Sequence, residues 1–203
     1  TTLKLIKEKI GPKIISQLNQ FFSNGIVGDG IMNPECLEIY EYVKSKGTCD
    51  LTLHTNGGAR NKEFWRDLAK IPVYVVFAID GLEDTNHLYR RNVKWSKLME
   101  NAEAYINAGG KAGWRMLIFK HNQHQVEEAK ALSKKMGFKQ FNSAFSERWV
   151  EYSLEGQFRD IDKLKVDDYY LEKPIQQPDK VGRYGSYEGS GYVDDDQWSQ
   201  DIR

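Results

Sequence analysis

Residues 73–79 read Val73-Tyr74-Val75-Val76-Phe77-Ala78-Ile79, a continuous run of β-branched and aromatic side chains. A short apolar run of this kind predicts a strand that is buried on both faces, as in parallel sheets covered by helices. The run ends at Asp80-Gly81, a pair typical of a turn. The centre of the chain therefore predicts a parallel α/β sheet.

Weaker apolar runs on either side of this segment predict four further strands. They are Gln20–Val27, Leu51–Thr55, Ala112–Phe119 and Lys139–Phe145. Segments with apolar residues at helical spacing lie between them, and this alternation predicts βαβ units joined by right-handed crossovers. A complete (β/α) barrel needs about 250 residues, so 203 residues predict a partial TIM-type barrel with parallel strands.

Asparagine residues precede three of the predicted helices. Asn33 is followed by Pro34, which favours the first helical position, and Asn61 and Asn122 stand before the next suitable segments. Because an asparagine side chain can accept a hydrogen bond from the first helical N–H groups, each is predicted to be an N-cap.

The formal net charge of zero is a cancellation between two parts of the chain. Residues 1–150 carry 22 Lys/Arg and 16 Asp/Glu, a net of +6, and residues 151–203 carry a net of −6. The second part interleaves glycine with tyrosine and has few aliphatic residues, which predicts an irregular acidic tail or a truncated second domain after a barrel of residues 1–150. The neutral total argues against nucleic-acid binding by bulk attraction.

No window approaches the roughly 18 apolar residues of a membrane span, and residues 1–20 lack the apolar core of a signal peptide. We therefore expect a cytoplasmic protein with no membrane partner. The two cysteines, Cys36 and Cys49, make neither a disulfide framework nor a metal site by themselves, and no metal ligands are predicted.

Polar and glycine-rich turns follow four of the predicted strands. They are Gly28-Asp29-Gly30, His54-Thr55-Asn56-Gly57-Gly58, Asp80-Gly81 and Lys120-His121-Asn122. Ligands of α/β proteins bind beyond the carboxyl ends of the strands, so these turns predict a binding site, although turn and cap formation explains each one separately. Arg90-Arg91 suits an anion or a solvated loop equally well.

The ordered set of these turns, over about residues 20–145, resembles the core domain of radical S-adenosylmethionine (radical SAM) enzymes. The matching elements are Gly28-Asp29-Gly30 with Ile31-Met32-Asn33-Pro34; Thr55-Asn56-Gly57; Ala78-Ile79-Asp80-Gly81 with His87, Tyr89, Arg90 and Arg91; and Asn122. Residues 54–91 look most like the radical SAM proteins of marine phage and bacterial genomes, many of which carry a second cluster domain.

The resemblance implies that S-adenosylmethionine binds at these turns. The implied cofactor-binding residues are Gly28, Asp29, Gly30, Thr55, Asn56, Asp80, Arg90, Arg91 and Asn122. The family's Cys-x-x-x-Cys-x-x-Cys loop, which follows its first strand, is absent from this chain. The resemblance therefore implies that the first βα unit of the barrel is missing and that an N-terminal segment outside this chain supplies the [4Fe-4S] cluster. The complete enzyme would then generate a 5′-deoxyadenosyl radical and abstract hydrogen from an unknown substrate, with a peptide or protein as the candidate, while this chain alone would be inactive.

Two alternatives stay open at the level of sequence. The chain is also compatible with a catalytically inactive barrel that acts as a binding or scaffold module through its acidic tail. A metal-dependent barrel hydrolase that uses His54 and His121 is the other alternative, because imidazole is a common metal ligand.

Overall fold

The computed structural model describes residues 1–25, 28–145, 149–152, 158–160, 162–166 and 168–175. The helices are α1 (Leu3–Lys9), α2 (Gly11–Ile15), α3 (Cys36–Lys46), α4 (Lys62–Leu68), α5 (Asn86–Tyr89), α6 (Trp95–Asn107) and α7 (Val126–Met136). The strands are β1 (Gln20–Asn24), β2 (Asp50–Thr55), β3 (Tyr74–Ala78), β4 (Lys111–Ile118), β5 (Gln140–Phe145), β6 (Val150–Tyr152), β7 (Phe158–Asp160), β8 (Lys163–Val166) and β9 (Tyr169–Glu172).

The first five strands form one parallel sheet in the order β1-β2-β3-β4-β5. At least one helix connects each strand to the next, and right-handed crossovers of this kind place the helices on one face. The α/β class and the parallel sheet are confirmed, and every predicted strand is present. Closure of the sheet into a barrel stays a prediction.

The main core lies between the sheet and this helical layer. Val75 and Phe77 of β3 are fully buried, and the Phe77 ring lies 5.2 Å from Trp65 of α4 and 6.3 Å from Tyr105 of α6. Tyr74 and Val76 point to the other face and are half-buried. The prediction that β3 is buried on both faces was therefore wrong, because the helices cover one face; we call the other one the open face.

Two of the three predicted asparagine caps differ from the prediction. Asn61 Oδ1 accepts a hydrogen bond from Phe64 N at 3.0 Å and caps α4 as expected. Helix α3 begins later, at Cys36, and Asn33 Oδ1 instead accepts from Glu35 N at 3.0 Å in the turn before it. Asn122 Oδ1 accepts from Phe119 N, so this side chain faces the end of β4.

The chain beyond residue 149 contains short strands that the sequence did not predict. β6 pairs with β7 and β8 pairs with β9, both antiparallel. The acidic run Asp194 to Asp196 and the other residues from 176 onward lie outside the described residues, so the predicted irregular tail stays a prediction. Within the described part of the chain, every helix is too short or too polar to span a bilayer.

Candidate functional site

The parallel direction of β1 to β4 brings the predicted polar turns to one edge of the sheet, which we call the carboxyl edge. Hydrogen bonds join the turn after β1 to the turn after β2, and the turn after β3 to the end of β4. We call these groups the first corner (Asp29, Thr55, Asn56 and Arg60) and the second corner (Asp80, Arg90, Leu117 and Asn122).

Asp29 bridges β1 and β2 in the first corner. Its Oδ2 accepts hydrogen bonds from Thr55 Oγ1 at 2.7 Å and Asn56 N at 2.9 Å, and its Oδ1 accepts one from Ile31 N at 3.2 Å. These donors are uncharged, and the bond to Ile31 opens a 3-10 turn over Gly30–Met32. The Asp29 carboxylate is therefore engaged in holding this turn.

Arg60 fixes the same turn from the side of β2, and sequence reasoning missed it. Its Nε donates to Ile31 O at 2.6 Å and its Nη2 donates to Asn33 O at 2.9 Å. Arg60 has a φ of 69°, which is uncommon for a residue with a side chain. Neither the positive φ nor the distant carbonyl partners leave a signal in the sequence.

The turn that contains Asn56 and Gly57 is held rigidly against the core. Gly57 has a φ of 68°, and a Cβ atom there would lie 2.7 Å from the Phe77 ring, so glycine is required. Asn101 of α6 donates to Gly57 O at 2.8 Å. Asn56 Oδ1 accepts from Gly58 N at 2.9 Å, which leaves its amide nitrogen for other contacts.

Asp80 bridges β3 and β4 in the second corner and is fully buried. Its Oδ1 accepts a hydrogen bond from Leu117 N at 2.5 Å, and its Oδ2 accepts one from Arg90 Nε at 2.5 Å. Burial raises the pKa of Asp80, while the positive charge of Arg90 acts in the opposite direction. An ionised Asp80 in this interior position therefore depends on Arg90.

Asn122 joins the ends of β3 and β4 from the inside. It has no exposed surface, and its Nδ2 donates to Asp80 O and Leu117 O, both at 2.8 Å. Its Oδ1 accepts from Phe119 N at 2.7 Å. Both Oδ1 and Nδ2 of Asn122 thus form hydrogen bonds with the backbone. The predicted contact of Asn122 with a cofactor would have to be additional to these hydrogen bonds.

The predicted arginine pair has two different sets of partners. Arg90 pairs with buried Asp80, whereas the Arg91 guanidinium lies 3.5 Å from Asp168 and 5.0 Å from the centre of the Tyr169 ring. Asp168 and Tyr169 belong to the β8–β9 hairpin. The two guanidinium groups therefore do not act here as one anion-binding pair.

The open face carries a second basic group that was not predicted. Arg115 lies in the middle of β4, is half-buried, and aligns in register with Ala78 of β3 and Asn142 of β5. Within the described residues, no hydrogen bond or ion pair engages its guanidinium group. Burial and the charge of Arg115 both lower the pKa of His54 on β2. The feature of the sequence that could have indicated this group is a charged residue, Arg115, in the middle of an otherwise mainly apolar strand.

The described residues contain no group of three or more side chains that could hold a metal ion. Cys36 and Cys49 are both buried, and burial raises the pKa of the Cys36 thiol, which disfavours the thiolate that metals need. His54 lies on the open face, and His121 stacks on Phe119 beyond β4. These positions give no support to the metal-hydrolase alternative.

The fold has counterparts among solved structures. No protein-family profile and no curated protein matches this chain. SuiB of Streptococcus suis bound to S-adenosylmethionine matches with a TM-score of 0.52 and 17% identity over 58% of this chain and 28% of that chain. A histidine-tagged form of anSMEcpe with bound AdoMet matches with a TM-score of 0.58 and 15% identity over 75% and 45%. Both are radical SAM enzymes.

A third match is native anSMEcpe with bound AdoMet and the Kp18Cys peptide, with a TM-score of 0.54 and 14% identity over 70% of this chain and 42% of that chain. At such identities the likeness concerns the fold. The chain spans less than half of the length of each of these three proteins. The predicted radical SAM resemblance is thereby confirmed as a likeness in fold; the phage type and the missing cluster loop stay predictions.

Proposed function

We propose that this chain is the S-adenosylmethionine-binding part of a radical SAM enzyme that acts on a peptide. The observation that carries the proposal is the agreement between two independent features. The fold is like that of enzymes solved with S-adenosylmethionine bound. The sequence motifs that resemble the same family lie together at the carboxyl edge, where ligands of parallel α/β sheets bind.

The first corner would receive the amino group of the cofactor on the backbone of Gly28, Asp29 and Gly30. Asp29 and Thr55 hold that backbone in place, and the free amide nitrogen of Asn56 faces no described partner of its own. In the second corner, Asp80, Arg90 and Asn122 would shape the wall beside the cofactor, and Arg91 would lie at its outer margin.

Arg115 would bind the carboxylate of the cofactor. Arg90 is the candidate from the motif, but its Nε donates to Asp80, whereas the Arg115 guanidinium lacks a partner among the described residues. A half-buried guanidinium favours an anion that forms two parallel hydrogen bonds with it. Arg115 lies on the open face of β4. It is in register with Ala78, the last residue of β3, and is therefore close to the carboxyl edge.

The iron–sulfur cluster does not fit the cysteines of this chain, because Cys36 and Cys49 are buried and burial raises the pKa of the Cys36 thiol. We propose that a segment outside the chain supplies the ligands of the cluster, and that S-adenosylmethionine, on accepting one electron from the cluster, would supply the group that abstracts hydrogen. The edge strand β1 supports this, since Phe22 is 58% exposed and α1 and α2 precede it as a crossover would. A cytoplasmic location and inactivity of the isolated chain complete the proposal.

The test compares two ligands that differ in the aminoacyl group. We expect the chain to bind S-adenosylhomocysteine, which has the carboxylate, and 5′-methylthioadenosine, which lacks it. Arg115→Gln should weaken the first about tenfold, the cost of one lost charged contact of about 1.4 kcal/mol, and leave the second unchanged. Isothermal titration calorimetry measures both affinities.

The matched control is Arg66→Gln, which removes an exposed arginine of α4 and should change neither affinity. If the wild-type chain bound neither S-adenosylhomocysteine nor 5′-methylthioadenosine, the proposed function would be refuted. Equal weakening of both ligands by Arg115→Gln would refute the role of Arg115 alone. A Cys-x-x-x-Cys-x-x-Cys sequence encoded upstream would support the source of the cluster, and its absence there would contradict it.

A further inference from the structure

An aromatic cluster forms where the β8–β9 hairpin docks beside the second corner. Its members are Tyr89, Phe119, His121, Trp149 and Tyr169. The Phe119 ring is central: it lies 4.7 Å from Tyr89, 5.3 Å from His121 in a stacked arrangement, and 5.8 Å from Trp149. Tyr169 of the hairpin packs against the same group. The aromatic cluster therefore joins the sheet edge to the hairpin.

Three polar atoms in this cluster are buried and have no hydrogen-bond partner within the described structure. They are His121 Nε2, Trp149 Nε1 and Tyr169 Oη. Trp149 is only 2% exposed, and its indole N–H can act only as a donor. Each unpaired buried polar group costs about 1–3 kcal/mol, so native proteins contain few of them. Three in one cluster point to a group that is bound there.

The charges around the cluster restrict the chemistry of that group. Arg90 lies over the Tyr89 ring and Arg91 over the Tyr169 ring, and each already pairs with an aspartate. Burial lowers the pKa of His121 to about 4, so its ring is neutral near pH 7. Nothing in this set calls for a second anion. An uncharged ligand with carbonyl oxygens between aromatic rings satisfies the cluster best.

We propose that the aromatic cluster is a subsite for an uncharged stretch of peptide, whose backbone carbonyl groups accept hydrogen bonds from Trp149 Nε1 and Tyr169 Oη. The inference rests on the proposed function and locates the peptide relative to the cofactor, on the side of β3 and β4. His121 Nε2 lies in the same cluster and accepts a hydrogen bond from a peptide N–H group. The apolar rings of Tyr89 and Phe119 contact the side chains of the peptide.

Entry of a peptide requires the hairpin to lift, because the three polar atoms are buried and the hairpin packs against Phe119 and Trp149 through Tyr169 and Leu171. Besides the packing of Leu171 and Tyr169 in the aromatic cluster, polar contacts link the hairpin to the loop after β4. Lys120 N donates to Glu172 O at 3.1 Å, the side chains of the same two residues form an ion pair, and Ile175 N donates to Gln123 Oε1 at 3.0 Å. Such links at the surface can open while the sheet stays folded.

The test follows the indole N–H signals of the ¹⁵N-labelled chain by NMR. The chain has five tryptophans, and Trp149→Phe identifies the Trp149 signal. The probe is the blocked tripeptide N-acetyl-Ala-Phe-Ala-amide at about 1–10 mM, where a weak subsite is measurably occupied. We expect a shift of the Trp149 signal, at least threefold weaker binding in Tyr169→Phe, and no loss of thermal stability in that variant, since its hydroxyl has no partner. Sodium acetate, which offers a charged acceptor, should leave the signal in place.

An unmoved Trp149 signal would overturn the inference, as would equal binding by Tyr169→Phe or an equal response to acetate. A lowered melting temperature of Tyr169→Phe would show that the hydroxyl is bonded within the protein and would also overturn it. S-adenosylhomocysteine in the same samples separates the two proposals. Shifts with this nucleoside but none with the peptide leave the proposed function standing and remove the subsite.

Discussion

The two corners of the carboxyl edge use the same device in different surroundings. In each corner an aspartate that follows a strand accepts hydrogen bonds from the neighbouring strand or the turn after it. Asp29 is half-buried and accepts from uncharged donors, whereas Asp80 is fully buried and pairs with Arg90. The comparison shows that a bridging aspartate requires a counter-charge when it is fully buried.

The two corners are therefore suited to different roles at the carboxyl edge. The first corner keeps a partly open backbone turn, which suits direct contact with a ligand. In the second corner, Asp80 and Asn122 are buried. The groups around them are Arg90, Arg91 and the aromatic cluster. A residue that matches a binding motif can therefore act by positioning its neighbours, as Asp80 and Asn122 do.

Removal of the counter-charge in the second corner should have the largest effect. Arg90→Met leaves the buried Asp80 carboxylate unpaired, and we expect a loss of about 3–5 kcal/mol in the free energy of unfolding at pH 7. Burial raises the pKa of Asp80 in the folded state, so the variant loses stability as the pH rises and recovers as Asp80 becomes protonated. Urea denaturation at pH 7 and at pH 5 measures both effects.

Arg91→Met is the matched control, because Arg91 pairs with an exposed aspartate, and it should cost less than about 1 kcal/mol. If Arg90→Met were as mild as this control, or if its deficit did not shrink at the lower pH, Asp80 would not depend on a counter-charge.

The first corner should respond less, and without recovery at low pH. Asp29→Asn places an amide nitrogen against Asn56 N–H or Ile31 N–H, which are donors themselves, so one bond becomes a donor–donor contact. We expect a loss of about 2–3 kcal/mol that is similar at pH 7 and pH 5. The same urea titrations measure it, with Asp67→Asn on the exposed side of α4 as the control. A loss below that of the control would contradict the bridging role of Asp29.

Much of the fold could be predicted because it depends on local patterns. The strand predictions were right within one residue at both ends of β2 to β5 and at the start of β1, but β1 ends at Asn24 and not at the predicted Val27. The cap at Asn61 was predictable for the same reason, since its partner is three residues away.

The remainder depends on contacts between distant residues, and no local pattern encodes them. Asn122 looked like a helix cap, but its amide bonds Asp80 O across 42 positions. Arg60 reaches Ile31 and Asn33 from a residue with positive φ. The half-buried state of β3 on its second face depends on which side the helices take, which a run of apolar residues cannot show.

The half-buried His121 of the aromatic cluster should add a smaller, pH-dependent contribution to the free energy of unfolding. Burial lowers the pKa of His121 from 6.5 to about 4, so the folded state prefers the neutral ring. A group with a lowered histidine pKa contributes its full stability above pH 6.5 and loses it as the pH falls towards 4. After allowance for the partial exposure of the ring, we expect this loss to be about 1–2 kcal/mol. His121→Phe keeps the stacking on Phe119 and should flatten the stability profile between pH 6.5 and 4.5. His124→Phe removes only a secondary cause of the lowered His121 pKa, so it should change the slope less than His121→Phe does. Chemical denaturation at half-unit pH steps gives these slopes, and equal slopes for His121→Phe and the wild type would mean that burial does not lower the pKa of His121 in the folded state.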